Sequence, residues 1–450
     1  MADNITHGLA AALLAQAGLR QRYGALATVA LVVGAELPDL DCLFKLAGPV
    51  SEFVHHRGIT HSLLGGAGLA LLGAAVLWSV WRAQPYWRVM WLVYMGVLLH
   101  IGMDYLTSYG TQIFLPFDAR RYTSDTLFIV DYCYTGIMIT ALLLVRMVRR
   151  QWQARYRVAG LAWLLLGLGM WLSAPHLDQL PWTRLAQAKL GLYLILLVVL
   201  LRTALWRLGS IRQPWPAPYG TIGLAWLLLG IGIWLSAPRV VRSSLLLMAQ
   251  QEAGRYVMAF AAILVVMAWL SQRWKEQRAV VFGRIGVVAL TVYVGLCFVM
   301  HAMAQRQMAY VLGSQMAQVR RIAALPVPGG GPWRWRTIAE TDAAYLVSHV
   351  SVFPVTATAP QMITKGPDNG MIRAVSRDHL VRIFWDFARF PVIDSWAQED
   401  ETVVRYFDLR FSGDGRDRSW FDLTVRLDQA GQVQVIEFLN RLFYPKHPES

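Results

Sequence analysis

The chain has 450 residues, of which 56% are hydrophobic and only 16% are charged, and it carries 19 tryptophans. This balance excludes an intrinsically disordered chain, a collagen-like chain and an ordinary soluble protein. The formal net charge is +14, but most of the basic excess lies in short loops between apolar stretches, where it indicates membrane topology and not nucleic-acid binding.

Apolar stretches recur from residue 5 to residue 304, and most approach the roughly 20 residues that a membrane-spanning helix needs. They predict about ten helices, which begin near Ile5, Gly24, Ser62, Val89, Leu127, Val158, Leu190, Ile222, Val257 and Ile285. The first two are short and could be tilted, half-inserted or shielded by the longer helices. The predicted fold class is therefore an all-α polytopic membrane bundle, followed by a soluble, β-rich α+β domain.

The loops between these helices differ in charge on the two sides of the membrane. One side carries 16 basic residues and a single acid, Glu276, whereas the other carries 9 basic residues and 11 acids. Loops rich in Lys and Arg face the cytoplasm. The N-terminus and everything after His301 are therefore expected on the outer side.

An internal repeat lies in the middle of the chain. Residues 160–175 read GLAWLLLGLGMWLSAP and residues 223–238 read GLAWLLLGIGIWLSAP, so that 14 of 16 positions match. Both copies run in the same direction, which suits a duplicated helix pair that packs through small residues. Residues 1–150 then form one membrane domain and residues 151–304 a set of additional transmembrane helices.

The composition changes near Pro326, where PVPGGGP is typical of a linker. We expect a linker over residues 305–332 and an extracytoplasmic β-rich domain over residues 333–450. Apolar and polar residues alternate in Trp420–Leu427 and again in Val433–Phe438, which predicts an antiparallel meander. The expected role of this domain is to bind a partner or to cover the membrane domain.

Four short motifs hold most of the polar chemistry of the membrane domain. They are Thr6-His7-Gly8, Pro38-Asp39-Leu40-Asp41, the run HHRGITHS over residues 55–62, and His100-x-x-x-Asp104. The topology places all four at the outer ends of consecutive helices, where imidazoles and carboxylates together suit zinc or another divalent ion. His100 and Asp104 are four residues apart and share one helical face. These motifs predict a single metal centre.

The same motifs, with HIGMDYLTSYGTQIFLPF and the following LFIVD, resemble the YdjM-like family of bacterial inner-membrane proteins, described as membrane-bound metal-dependent hydrolases. The resemblance covers about residues 1–150. The family is distantly similar to the zinc-dependent phospholipase C and nuclease superfamily, whose sites hold zinc through His and Asp. It implies a bacterial inner-membrane location with the site on the periplasmic side, and these metal ligands: His7, Asp39, His56, His61, His100 and Asp104.

Further residues are expected around these ligands. Asp41 is a candidate proton acceptor, and Asp41 and His55 are second-shell or alternative ligands. Glu36 and Asp131 are also placed in the second shell, Asp131 by pairing with a site histidine or arginine. Arg120 and Arg121 suit binding of phosphate oxygens, although ordinary contact with lipid headgroups is an equal alternative.

Three functions compete at this point. The first is a metal-dependent hydrolase that acts on a lipid or phosphate-ester substrate at the outer leaflet. The second is a non-enzymatic membrane scaffold, in which the metal staples the helices and the outer domain binds a partner. Closed coordination by four protein ligands would favour the scaffold, and an open metal position would favour the enzyme. The third, a transporter, has only the duplicated helix in its favour.

Overall fold

The computed structural model describes residues 2–150, 259, 278–367, 370–398, 400–412, 421–439 and 441–443. These residues form an N-terminal helical region and a C-terminal region with two antiparallel sheets. The internal repeat and the helices expected near Val158, Leu190, Ile222 and Val257 lie outside the described residues.

The helical region follows the predicted order of apolar segments. It consists of α1 (Ala2–Leu14), α2 (Arg20–Tyr23), α3 (Ala25–Glu36), α4 (Pro49–His55), α5 (Leu63–Val80), α6 (Tyr86–Tyr105), α7 (Tyr132–Arg150) and α8 (Arg278–Leu312). A π-helical turn, Ala15–Leu19, joins α1 to α2, and 3₁₀ segments cover Pro38–Ala47, Ile59–His61 and Gly313–Gln318. Helices α1, α3, α5, α6, α7 and α8 correspond to six of the segments expected from the sequence.

The expected count of about ten membrane helices is not reached in the described part of the chain. Within it, two helical stretches are long and apolar enough to cross a membrane, Leu63–Val80 and Arg278–Gln318. The apolar helix α3 has 12 residues, a rise of about 18 Å, which falls short of the roughly 30 Å hydrocarbon core. The apolar sequence therefore predicted α3 correctly as a helix, but α3 is too short to cross the hydrocarbon core on its own.

Helices α3 and α6 approach each other so closely that their backbones touch. A Cβ atom on Gly34 would lie 2.0 Å from the carbonyl oxygen of Val93, and one on Gly96 would lie 2.2 Å from that of Leu31. Glycine is the residue that permits such an approach. The contact fixes the C-terminal end of α3 beside the middle of α6.

Helix α8 connects the membrane region to the C-terminal region. It has 35 residues, which corresponds to roughly 50 Å of helix and exceeds the thickness of a bilayer core. Its C-terminal part leaves the bundle and packs on the first sheet, with Ala304 against Trp335 and Met308 against Ala339. A linker was expected over residues 305–332. The structure instead places the end of α8, the 3₁₀ segment Gly313–Gln318 and the strand Arg321–Pro326 in this range.

The C-terminal region contains two five-stranded antiparallel sheets. The first comprises β1 (Arg321–Pro326), β2 (Arg334–Glu340), β3 (Ala344–Ser351), β4 (Thr356–Ala357) and β5 (Gln361–Thr364). Helices α9 (Gly370–Val375) and α10 (His379–Phe387) follow it. The second is a meander of β6 (Pro391–Gln398), β7 (Glu401–Asp408), β8 (Leu423–Leu427), β9 (Val433–Phe438) and β10 (Arg441–Phe443). The expected meander is confirmed by the antiparallel pairing of β8 with β9.

Replacement of Gly96 by alanine tests the close helix contact. We expect Gly96→Ala to lower the free energy of unfolding by about 1–3 kcal/mol, because the new methyl group overlaps the backbone of α3. Gly102→Ala on the same helix is the control, since a Cβ there meets no atom within 4 Å. Thermal unfolding in detergent measures the difference, and equal midpoints for the two variants would contradict the contact.

Candidate metal centre

Side chains from four separate segments meet at one end of the helical region. His7 comes from α1, Asp39 from the 3₁₀ segment after α3, His61 from the turn before α5, and His100 with Asp104 from α6. The side chains of His7, His61, His100 and Asp104 are at most 2% exposed, whereas that of Asp39 is 17% exposed. The expectation that the four sequence motifs share one site agrees with this arrangement.

The potential ligand atoms have the spacing that a single ion requires. Nε2 of His61 lies 3.1 Å from Nε2 of His100, and these two nitrogens lie 3.3 Å and 3.5 Å from Oδ2 of Asp104. Oδ1 of Asp39 is 3.6 Å from each nitrogen. Ligand atoms about 2.0–2.1 Å from a tetrahedral zinc ion are roughly 3.3–3.4 Å apart. The ligand atoms of His61, His100 and Asp104 therefore fit one divalent ion, and Oδ1 of Asp39 lies beside both histidine nitrogens.

His7 lies at the edge of this group. Its ring stacks on that of His100 with centroids 3.8 Å apart, and its Nε2 is 3.5 Å from Oδ1 of Asp104. It also lies with Asp39 and His100 in a group whose ligand atoms are all within 4.8 Å of one another. His7 is thus a further ligand candidate. It lies next to Oδ1 of Asp104, whereas His61 lies next to Oδ2.

The tautomer of His100 is set by the contact between α3 and α6. Nδ1 of His100 lies 2.6 Å from the carbonyl oxygen of Ala35. Because a carbonyl oxygen can only accept, the proton belongs on Nδ1, and Nε2 keeps its lone pair for the group of ligand atoms. A backbone partner on the far ring nitrogen is the usual way in which proteins orient a metal-binding histidine.

Arg57 holds the carboxylate of Asp104 and was not identified from the sequence, although it lies inside the HHRGITHS motif. Its Nη2 is 2.8 Å from Oδ1 of Asp104, and its Nη1 donates to Oγ1 of Thr107 at 2.7 Å. Oδ2 of Asp104 is buried and has no hydrogen-bond donor among the described residues. Burial of a carboxylate oxygen without a hydrogen-bond donor destabilises the folded protein unless a cation lies next to that oxygen.

Asp41 and His56 form a pair beside the ligand group. Oδ2 of Asp41 accepts from Nδ1 of His56 at 3.0 Å and from the backbone N–H of Arg57 at 2.9 Å, and it lies 3.5 Å from Nδ1 of His61. Oγ1 of Thr60, 3.0 Å from Nδ1 of His61, is the nearer partner of that nitrogen, so Thr60 and Asp41 both lie behind His61 and suit the orientation of its ring. His56, expected as a ligand, is outside the group, and its side chain is 34% exposed.

The two aspartates of the 3₁₀ segment remain ionised. Burial is the largest single effect on the pKa of Asp41 and raises it, but the hydrogen bond to His56, the charges of His56 and His61 and the backbone N–H of Arg57 together leave that pKa below its usual value. For Asp39, burial again acts upward most strongly, while the hydrogen bond to His61 and the charges of His100 and His61 together bring the pKa below its usual value. Two carboxylates kept ionised near neutral pH provide the negative charge that a divalent cation needs.

His55 and Glu36 were both expected to contact the metal ligands, and the structure gives them different partners. The ring of His55 stacks on that of Phe44 with centroids 4.5 Å apart. The Glu36 carboxylate lies over Gly8, where an added Cβ would be 2.8 Å from Oε1, and it therefore joins α3 to α1 next to His7. Glu36 supports the site through this packing.

Neither Arg120 nor Arg121 presents a guanidinium to the ligand group. Arg120 is 79% exposed and pairs with Asp118 at 2.6 Å. Nη1 of Arg121 donates to the carbonyl oxygens of His56 at 3.0 Å and Gly110 at 3.3 Å. Arg120 thus forms an ion pair on an exposed loop and Arg121 fixes the backbone around His56, while binding of phosphate oxygens or of lipid headgroups by either residue stays a prediction.

Asp131 is separate from the site. Its carboxylate accepts from the hydroxyl of Tyr293 at 2.9 Å and 3.0 Å and from the backbone N–H of Tyr134 at 2.8 Å. It caps the first turn of α7 and links it to α8. The expected pairing with a site histidine or arginine is not found, because the helix terminus and the tyrosine occupy both oxygens.

The C-terminal region packs over the loop that follows α6. Arg389 binds Asp125 through two hydrogen bonds of 2.8 Å and 2.9 Å, and Nη1 of Arg410 donates to the carbonyl oxygens of Ser108 and Tyr109. Phe53 of α4 enters the core of the second sheet, 4.7 Å from Phe387. The region is therefore fixed to the membrane domain beside the site.

Comparisons with known proteins support the resemblance noted in the sequence. Residues 1–177 match the model of the family described as YdjM inner membrane protein, which confirms the resemblance for the part of the chain that holds the ligand group. A protein of Bacillus subtilis (strain 168), described as "Uncharacterized protein YfhP", is 27% identical over 92 residues. That match covers 20% of this chain and 28% of the relative. No solved structure matches the chain.

Metal analysis of two histidine variants tests the ligand group. We expect His61→Gln to weaken zinc binding by more than about 100-fold, because changes to residues that merely orient ligands already cost 10–100-fold. His55→Gln is the matched control, since its ring contacts Phe44 outside the group. Metal per protein after dialysis against a chelator gives the readout. Equal metal retention in the two variants would remove His61 from the centre.

Proposed function

We propose that this protein is a metal-dependent hydrolase of the bacterial inner membrane, which acts on a lipid or phosphate-ester substrate. The observation that carries the proposal is the convergence of the ligand atoms of His61, His100 and Asp104 at the separations expected around one ion. Oδ1 of Asp39 lies 3.6 Å from each of the two imidazole nitrogens. A family of inner-membrane proteins matches the same residues.

Zinc is the ion that suits this set best. Two histidines with carboxylates are typical of catalytic zinc, whereas most structural zinc sites contain cysteine. Cys42, Cys133 and Cys297 are free and are not among the clustered ligand candidates. A divalent ion in such a site supplies Lewis-acid polarisation of a phosphoryl or acyl oxygen and makes water a better nucleophile.

The residues of the chain supply orientation and proton transfer. Ala35 orients His100, Asp41 orients His61, and Arg57 holds Asp104. The His56–Asp41 pair takes the role of proton acceptor in this proposal. With Nδ1 of His56 donating to Asp41, its Nε2 is left to accept a proton, and the ring is partly exposed where a substrate could reach it.

A second function, a metal-stapled scaffold, has one observation in its favour. The ligand atoms of His61, His100 and Asp104 are already grouped, with Asp39 beside them, and a closed set of four ligands is typical of a structural site. The fixed C-terminal region, held by Arg389 and Arg410, would then be the part that binds a partner. The partial exposure of Asp39 favours the hydrolase, since a ligand at the surface can give way to water or substrate.

The proposed orientation places the metal centre and the C-terminal region in the periplasm. It rests on the arginine-rich loops. Arg82 and Arg88 lie at the end of the α5–α6 pair opposite to His61 and Asp104, and the positive-inside rule assigns that end to the cytoplasm.

Hydrolysis by the purified full-length protein tests the enzyme against the scaffold. We expect the zinc-loaded protein to hydrolyse at least one member of a panel of phosphomonoester, phosphodiester and acyl-ester lipids. His56→Gln should reduce kcat by about 10²–10⁴-fold, as loss of a general base does, while zinc content remains that of the wild type. A protein that retains zinc and hydrolyses no member of the panel would support the scaffold.

Labelling of introduced cysteines tests the orientation. Ala119 and Ala83 are both exposed and lie near opposite ends of the membrane helices. In a background without the three native cysteines, a membrane-impermeant maleimide should label Ala119→Cys in intact spheroplasts, and should label Ala83→Cys only after lysis. Labelling of both from the same side would contradict the topology.

A further inference from the structure

We propose that the substrate enters from the outer leaflet of the bilayer, across an apolar ridge on the segment that supplies Asp39, and that it is an acyl-chain lipid ester. This inference rests on the proposed hydrolase function and specifies the route and class of its substrate. The ridge consists of Leu40, Leu43 and Leu46 on the 3₁₀ segment Pro38–Ala47.

The geometry of the 3₁₀ segment aligns the three leucines. Side chains three residues apart eclipse one another in a 3₁₀ helix, and the rise is about 2 Å per residue. The leucines therefore form a row roughly 12 Å long. They are 45%, 58% and 88% exposed, respectively, although each has a large apolar surface that is unfavourable in water.

The same segment holds the site on its other face. Asp41 is 2% exposed and faces His61, and Asp39 faces His61 and His100. Of the group formed by His61, His100, Asp104 and Asp39, Asp39 is the most exposed. Asp39, the most exposed of these ligand candidates, therefore lies on the same 3₁₀ segment as the ridge.

The position of the ridge along the membrane helices identifies lipid as its occupant. The apolar helix α3 ends at Glu36, one residue before the 3₁₀ segment, and the membrane-spanning helix α5 begins at Leu63, directly after the turn that holds His61. The ridge therefore lies next to the ends of two apolar helices, at the end of the helical region that holds the site. Amphipathic segments at this level insert their apolar face among lipid headgroups and acyl chains.

A second apolar element lies beside the start of α5. Phe117 is 86% exposed and Phe114 is 46% exposed, and their loop is joined to α5 by a bond from the backbone N–H of Leu63 to the carbonyl oxygen of Ile113. Aromatic side chains are typical of the boundary between membrane and water. The loop is therefore expected to lie at the same membrane level as the ridge.

The C-terminal region covers a different side of the site. Tyr109, whose ring lies 5.1 Å from that of His56, packs against Phe387, Phe411 and Phe421. Arg410 binds the backbone of the same loop. This packing covers one side of the site but leaves the His56 side chain 34% exposed, so the route across the ridge rests on the exposed leucines and on Asp39.

Depth measurements on the full-length protein in lipid nanodiscs test the ridge. Nitroxide labels at Leu43→Cys and Leu46→Cys, in a background without native cysteines, should be more accessible to oxygen than to a water-soluble nickel chelate. Lys45→Cys is the control, because Lys45 lies between the two leucines and pairs with Glu52; its label should favour the nickel chelate. Labels at 43 and 46 that resemble the control, or that neither reagent reaches, would overturn the proposal.

Kinetics with two chain lengths separate this inference from the proposed function. Leu46→Gln should raise KM for dioleoyl phosphatidic acid in vesicles about tenfold and leave kcat/KM for soluble dibutyryl phosphatidic acid unchanged. Val355→Gln, an exposed apolar residue of the C-terminal region, is the control and should change neither value. Equal effects of Leu46→Gln on both lipids would overturn the route. If the zinc-loaded wild type hydrolyses neither lipid nor any other ester, the proposed function fails, while the labelling still decides the ridge.

Discussion

The hydrogen bond from Nδ1 of His100 to the carbonyl oxygen of Ala35 connects the packing of two helices to the chemistry of the site. It forms because Gly34 and Gly96 let the backbones of α3 and α6 touch. Any larger residue at either position would move the carbonyl oxygen away from the imidazole. The same contact brings the end of α3, and with it the segment that carries Asp39, next to α6. Helix packing therefore sets both the tautomer of one ligand and the position of another.

Charge balance explains why these residues depend on one another. Asp39, Asp41 and Asp104 bring three carboxylates into a small, largely buried volume, and Arg57 is the cation that directly contacts Asp104. Like charges at such separations are unfavourable in a low-dielectric environment. In the proposed centre, a divalent cation beside His61, His100 and Asp104 would remove this repulsion and give the buried Oδ2 of Asp104 a partner. The same ion would then stabilise both the site and the local fold.

The sequence located the site but not its internal arrangement. The charges of the loops predicted that four motifs lie at one end of the helices. The apolar stretches between these loops predicted α1, α3 and α5–α8. The roles of His56, Arg121 and Asp131 depend on contacts that spacing does not encode. His56 is turned towards Asp41, Arg121 binds backbone carbonyls, and Asp131 caps α7. An aspartate immediately before a helical segment is a common N-cap. The position of Asp131 directly before α7 is therefore the sequence signal for its role.

The two sides of the proposed site differ in chemistry, and this difference favours the hydrolase over the scaffold. A metal that only staples helices needs cover on every side, and nothing in that role requires leucines at 40, 43 and 46 to be exposed. Here Tyr109, beside His56, is held by aromatic packing and by Arg410, whereas the Asp39 side adjoins an apolar ridge. A lipid ester with its chains along the ridge would bring its polar group to Asp39, the ligand candidate most able to yield a coordination position.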